Sequence, residues 1–310
     1  MVLLLPILKT TQLGVLLKMI NSIKNIHGIS SLVEKYQYFI LDIWGVLHDG
    51  TALYPQVLTT LQYLKKAKKT VCLLSNAPRR SEVVTDFLTK IGIDKNLYSL
   101  ILTSGEAVYL DLQQNQHHNF HFVKQKYCYA GPKKDQDLLM NLSYQEVDVS
   151  LADFILNTGF DNDNSTLSEK IPLLNEAKKH NLPMICANPD LMVVKQSGQK
   201  IICAGVMAKH YEELGGEVFY YGKPKVKIYE ILHNLLEKPN KSNIIAVGDG
   251  LETDILGANN FQIDSVLVTG GILTHELKIS FSQNPDLDKI KNICQKYSAI
   301  PNYTISNLYL

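Results

Sequence analysis

One-sided charge, long hydrophobic runs, paired cysteines and tryptophan are what this 310-residue sequence has least of. Its 31 Lys and Arg face 30 Asp and Glu, a formal charge of +1. That balance leaves no broad electrostatic footprint for nucleic acid or an anionic membrane surface. The apolar opening, MVLLLPILKTTQLGVLLKMI, is interrupted by Lys9 and Lys18 and lacks a leading basic segment and a small-residue cleavage site. It therefore falls short of the roughly 18–20 uninterrupted residues of a membrane span and of a secretory signal. Residues 1–18 read as an extension, or an overcalled start, before Met19. The five cysteines, Cys72, Cys128, Cys186, Cys203 and Cys294, are odd in number and form no C-x-x-C pair. Three lie in apolar runs (VCLL, MICA, IICA), which points to buried structural thiols and a reducing, cytoplasmic setting. Internal repeats and low-complexity tracts are missing too. With 45% hydrophobic and 20% charged residues, the chain is neither disordered, collagen-like nor a coiled coil.

What is present is an alternation. From Gln37, short β-rich runs and amphipathic helical stretches follow each other: YFILDIW, QVLTTLQYLKKAK, TVCLLSNA, RRSEVVTDFLTKIG, YSLILTS, GEAVYLDLQQ. That order predicts a parallel sheet with helices on its faces. The polar segment QNQHHNFHF breaks the pattern and reads as a linker. His117, His118 and His121 within it have neither helical spacing nor a nearby Cys, so a solvated linker is preferred over a metal site. A second α/β block follows, and after Gly216 the first style resumes with EVFYYG. The predicted division is residues 1–36 as an extension and leading helix, 37–117 and 217–310 as one α/β core, and 118–216 as an inserted α/β domain. A substrate cleft is expected where the two meet. Lys65, Lys66, Lys68 and Lys69 close a helix and complement its C-terminus, a solvated face rather than a nucleic-acid contact.

Ligands of an open parallel sheet sit at the carboxyl ends of its strands. There this sequence places Asp42 after the first core strand, Ser75-Asn76 after the second, and Asp249 after IIAVG, with Asp254 five residues on. Gly222-Lys223-Pro224 precedes a later helix. Carboxylates suit a hard cation such as Mg²⁺, while hydroxyl, N–H and ammonium groups suit a phosphate. Each feature alone is an ordinary turn or cap; their order together is not.

The segments ILDIWGVL, LLSNAPR, YGKP and VGDGLETD resemble the four motifs of the haloacid-dehalogenase (HAD) superfamily. With NTGFDND and ANPD they are similar to its class IIA, small-molecule phosphatases of the NagD and p-nitrophenylphosphatase kind. The resemblance, from about Tyr38 to Gly271, implies a Rossmann-like core with an inserted α/β cap. It implies that Asp42 is the nucleophile, forming an aspartyl-phosphate. It further implies that Mg²⁺ is held by Asp42, the Trp44 backbone carbonyl and Asp249 with Asp254 steadying the site, that Ser75 and Asn76 hold the phosphoryl oxygens, and that Lys223 neutralises the gathered charge. Gly270-Gly271 would border the site. A small phosphorylated metabolite is the implied substrate, and pairing of two copies through the caps is the implied assembly.

Phosphatases of this superfamily carry an aspartate two residues after the nucleophile, as general acid and base. Here that position is Trp44, the only tryptophan. A lost general acid typically costs about 10²–10⁴ in rate. His48, in the turn after the first motif, is the leading substitute, since imidazole titrates near neutrality; Asp49 is the second. Other readings are a slow phosphatase, a phospho-metabolite binding protein, or a dehalogenase-like hydrolase. Strand alternation puts residues 42 and 44 on one face, so the Trp44 ring is expected at the cleft, stacking on the leaving group or filling space beneath the cap. In the cap, the resemblance implies that Asn188 and Asp190 face the cleft as substrate contacts; the alternative is an Asx turn that sets the loop.

Overall fold

The computed structural model describes residues 20–114, 125–194, 199–280 and 283–310. Residues 1–18, the histidine cluster at 117–121 and the expected boundary at 117/118 lie outside them. The chain begins with β1 (Lys24–Asn25), β2 (Tyr38–Leu41), α1 (Val57–Lys66), β3 (Thr70–Ser75), α2 (Ser81–Lys90), β4 (Leu100–Thr103) and α3 (Ser104–Gln113). It leaves for β5 (Lys126–Ala130), β6 (Gln145–Glu146), β7 (Phe154–Asn157), α4 (Leu167–Lys179), β8 (Met184–Cys186), β9 (Met192–Val194), β10 (Lys200–Ile202), α5 (Ala204–Glu213) and β11 (Val218–Tyr220). It returns with α6 (Val226–Leu235), β12 (Ile244–Gly248), α7 (Leu256–Phe261), β13 (Asp264–Val268), α8 (Leu287–Tyr297) and β14 (Tyr303–Ile305).

The first and last groups make one seven-stranded sheet, ordered β1-β14-β13-β12-β2-β3-β4, with every pairing parallel. Phe39, Ile40 and Leu41 of β2 are all buried, as a strand covered on both faces requires. Helix α1 buries Val57, Thr60, Leu61 and Leu64, one face at helical spacing, and ends in Lys65 and Lys66, as the sequence led us to expect. From β2 the strand order runs outward to β3 and β4 on one side, and from β12 to β13 and β14 on the other. The crevice at the carboxyl ends of β2 and β12 is therefore the place where a ligand site forms.

The middle group makes a second parallel sheet, β11-β8-β7-β5-β6, with β9 and β10 as an antiparallel hairpin. The α/β core with an inserted α/β cap is thus the architecture observed. One strand changes sides: EVFYYG, read as the return to the core, is β11 and pairs with β8 of the cap. Its side chains Val218, Phe219 and Tyr220 are only half-buried, as an edge strand allows, and nothing in the local sequence distinguishes the two sheets. The stretch PKKDQDLLMNL, in the second α/β block, forms a 3₁₀ segment over Lys133–Leu139. Leu138 and Leu139 of that segment join Tyr127, Phe154, Leu156 and Ile185 of the cap sheet in the same buried cluster as Leu74, Ala107, Val108 and Leu112 of the core. This shared apolar packing seats the cap on α3. Among the described residues no helix is long and apolar enough to cross a membrane.

Candidate active site

Asp42 leaves the end of β2 with its N–H donated to Val247 O of β12 at 2.9 Å, which fixes the carboxylate over the crevice. Asp249 follows β12, and a π-helical turn over Leu251–Ile255 presents Asp254. Carboxylate oxygens of Asp42, Asp249 and Asp254 all lie within 4.8 Å of one another. Lys223 reaches them from the loop between β11 and α6. Its Nζ donates to Asp42 Oδ1 and Asp254 Oδ1, each at 2.6 Å, and to Leu74 O at 3.2 Å. Lys223 is 3% exposed. So deep an ion group persists only when paired and hydrogen-bonded on every side.

Three buried carboxylates against one ammonium leave an excess of negative charge. Burial pushes Asp42 well above the usual carboxylate range, and Asp254 and Asp249 add to the rise while Lys223 opposes it. Burial also pushes Asp249 up to about 7, reinforced by Asp254 and opposed by the Ile272 N–H. Lys223 is held above its ordinary value: desolvation pulls it down, but Asp254 and Asp42 outweigh that. A cluster of hard oxygen donors with surplus negative charge is the donor set that a divalent cation satisfies. Asp249 Oδ2 accepts from the Ile272 N–H at 2.7 Å, so the Gly270-Gly271 turn borders the site. The Ile272 N–H itself was not read from the sequence, where only the two glycines signalled a turn at a strand end.

Ser75 and Asn76 lie at the end of β3, both buried, and Ser75 Oγ accepts from the Ala77 N–H at 3.2 Å. The Asn76 side chain is engaged by protein. Its Oδ1 accepts from the Lys223 N–H at 2.8 Å, and its Nδ2 donates to Lys223 O at 3.0 Å and to Asp190 Oδ1 at 2.7 Å. Ser104 Oγ, at the start of α3, adds a longer contact of 3.4 Å to Asn76 Oδ1. Asn188 closes an Asx turn, its Oδ1 accepting from the Asp190 N–H at 3.0 Å. Asp190 thus reaches the core, while Asn188 sets the loop that carries it.

Trp44 and His48 form a unit of their own. Trp44 is 37% exposed, and its ring lies over Gly50, where an added Cβ would fall 2.5 Å from the ring edge. His48 is 3% exposed, wedged edge-on between the rings of Trp44 and Phe87 at 5.5 and 5.1 Å. Its Nδ1 accepts from the Gly50 N–H at 2.8 Å, and burial lowers its pKa to about 4, against a small upward pull from Asp49. The expectation of a histidine titrating near neutrality in a turn is thereby corrected: this ring is neutral, and its Nδ1 lone pair is in use. Asp49 Oδ1 builds a turn by accepting from the N–H groups of Thr51 and Ala52, each at 2.9 Å. Partial burial pushes its carboxyl up, but those N–H groups win and hold it below the usual range.

Two family descriptions match this chain. Residues 39–144 match haloacid dehalogenase-like hydrolase, and residues 220–294 match HAD-hydrolase-like. A haloacid dehalogenase-like family hydrolase from Brucella suis superposes with a TM-score of 0.77 at 27% identity, covering 91% of this chain and 99% of that one. A structure described as a possible sugar phosphatase from Cytophaga hutchinsonii gives 0.74 at 23% identity, over 93% and 99%. Among curated proteins, an acid sugar phosphatase of Staphylococcus haemolyticus is 22% identical over 255 residues, 82% of this chain and 92% of that protein.

Proposed function

We propose that this chain, which belongs to the haloacid dehalogenase-like hydrolases, is a phosphoric monoester hydrolase for small phosphorylated metabolites, sugar phosphates foremost. Its cap sheet inserted between the strands of the core sheet fits the class IIA arrangement within that family. The observation that carries the reading is the junction of Asp42, Asp249 and Asp254 with the buried ammonium of Lys223. The sugar phosphatase descriptions of relatives support the substrate class.

In this reading one Asp42 oxygen attacks phosphorus. The ester P–O bond breaks, the departing alkoxide takes up a proton, and an aspartyl-phosphate remains. Water then attacks phosphorus, releasing orthophosphate and restoring the carboxylate. Lys223 keeps its ammonium beside the attacking carboxylate, lowering the repulsion that a phosphate dianion meets there. Ser75 Oγ and the Asn76 N–H are the donors for the phosphoryl oxygens. Asp42, the Trp44 carbonyl and Asp249 would hold Mg²⁺, with Asp254 supporting them; when bound it would neutralise the carboxylates and polarise the phosphoryl group.

Trp44 provides no proton, and the neutral, engaged His48 serves as a prop for the Trp44 ring rather than as a substitute acid. Substrates with good leaving groups are therefore turned over faster than alkyl phosphates. The same tryptophan favours a second reading, a phospho-metabolite binding protein with little turnover. Pairing of two copies through the caps stays part of the proposal, and a monomeric mass in solution contradicts it. Trapping tests the chemistry: borohydride added during turnover should convert Asp42 to homoserine, detected by peptide mass. An unmodified Asp42 under active turnover contradicts the covalent route.

A further inference from the structure

The cap carries a carboxylate to within hydrogen-bond reach of the residue that grips the catalytic lysine. The Asn76 carboxamide pairs with the Lys223 peptide by two hydrogen bonds, one given at 3.0 Å and one received at 2.8 Å. An amide nitrogen has two hydrogens; the second goes to Asp190 Oδ1 at 2.7 Å. The loop bearing Asp190 is itself fixed. Asn188 Oδ1 accepts its N–H at 3.0 Å, and its carbonyl accepts from the Gly205 N–H at 3.1 Å. Beside this contact, Gly222 has a φ of +123°, and a Cβ there would fall 2.7 Å from both Asn76 Oδ1 and Pro189 Cδ. Only a glycine lets the cap loop and the lysine-bearing loop meet so closely.

We propose that Asp190 is a positioning residue for Lys223, acting through the Asn76 amide, and that the docked cap thereby sets the ammonium against Asp42 and Asp254. The proposal rests on the phosphatase reading for its kinetic consequences and replaces a substrate contact as the role of Asp190. Its physical basis is a relay with no loose member. A carboxylate fixes the second amide hydrogen, the amide then has one orientation, and that orientation holds the Lys223 main chain at both N–H and C=O. Charge-assisted bonds of this kind are the strong ones. Without the acceptor, a buried amide hydrogen is left unpaired, and the two bonds to the Lys223 peptide lose the contact that seats them against the cap. Displacements of about 1 Å at a reacting group cost on the order of 10² in rate.

The test compares Asp190→Ala and Asp190→Asn over a panel of phosphate esters with Mg²⁺. Asp190→Ala should lower kcat by roughly 10–100-fold for every ester alike, with KM raised by a common factor of at most about tenfold. Asp190→Asn keeps an acceptor oxygen and should recover most of the loss. In an Asn76→Ala background, Asp190→Ala should add nothing further, because the route to Lys223 is already cut. A loss confined to KM or to some esters, or additive losses in the double variant, overturns the proposal in favour of a substrate contact. If Asp190→Ala does not fold, Asp190→Ser, too short to reach Asn76, takes its place. Calorimetric titration with orthophosphate and Mg²⁺ gives a readout that needs no turnover. Asp190→Ala should bind orthophosphate about tenfold more weakly and Asp190→Asn less than about threefold, as a displaced cation predicts; equal affinities overturn the proposal. A parent that binds orthophosphate and hydrolyses nothing contradicts the phosphatase reading alone.

Discussion

The Nζ of Lys223 stands 2.6 Å from Oδ1 of Asp42, with both side chains buried. A carboxylate that must approach a phosphate dianion is thus held against the cation that makes the approach tolerable. Lys223→Met keeps the stem and removes the charge. Turnover should fall by at least about 10²-fold, the usual cost of one preorganised electrostatic donor. Steady-state kinetics check this, and a variant with parental kcat contradicts the assigned role.

Trp44 occupies the position where a carboxylic acid would serve the leaving oxygen. Trp44→Asp should raise turnover of alkyl phosphates by roughly 10²-fold or more, the scale of general acid catalysis. The gain should be smaller on p-nitrophenyl phosphate, whose phenolate leaves without help. Equal or absent gains would show that proton supply does not limit this protein.

His48 gives stability a pH dependence. Its pKa is about 4 in the fold against 6.5 ordinarily, so the fold favours the neutral ring. The contribution is fully present above pH 6.5 and is lost as pH falls towards 4, because the unfolded chain takes up the proton first. Linkage sets its size at roughly 3 kcal/mol. Denaturant unfolding of parent and His48→Gln between pH 7.5 and about 4.5 should show the steeper decline in the parent. Parallel curves contradict the buried, neutral assignment.

All five thiols are free and buried. Burial pushes Cys72, Cys186, Cys203 and Cys294 up to about 12 and Cys128 to about 11, which removes the reactive thiolate. An aromatic disulfide reagent should find no fast-reacting thiol in the native protein and five after denaturation. One rapid native equivalent refutes this for at least one cysteine.

Much of this arrangement was legible in the sequence because it follows periodicity and strand ends. The alternation of β-rich and helical runs gave the parallel core, and Asp42, Ser75, Asp249 and Asp254 stand where strand termini put ligands. Other features depend on contacts between distant segments and leave no local mark. Strand β11 has the same character as a core strand and is claimed by the cap through pairing with β8. The burial of His48 depends on Phe87, 39 residues away along the chain. Asn76 and Asp190, 114 residues apart, meet only because the cap docks. Short strands β1 and β14, which extend the core sheet, have two and three residues and carry too little pattern to read.

Release of orthophosphate from a panel of sugar phosphates and p-nitrophenyl phosphate, with Mg²⁺ and then with a chelator, in Asp42→Asn beside the parent, decides whether Asp42 and a metal ion carry the chemistry. The parent should release orthophosphate, and that turnover should be lost both on chelation and in Asp42→Asn. Turnover that survives in Asp42→Asn, or none from any ester with the parent, contradicts this.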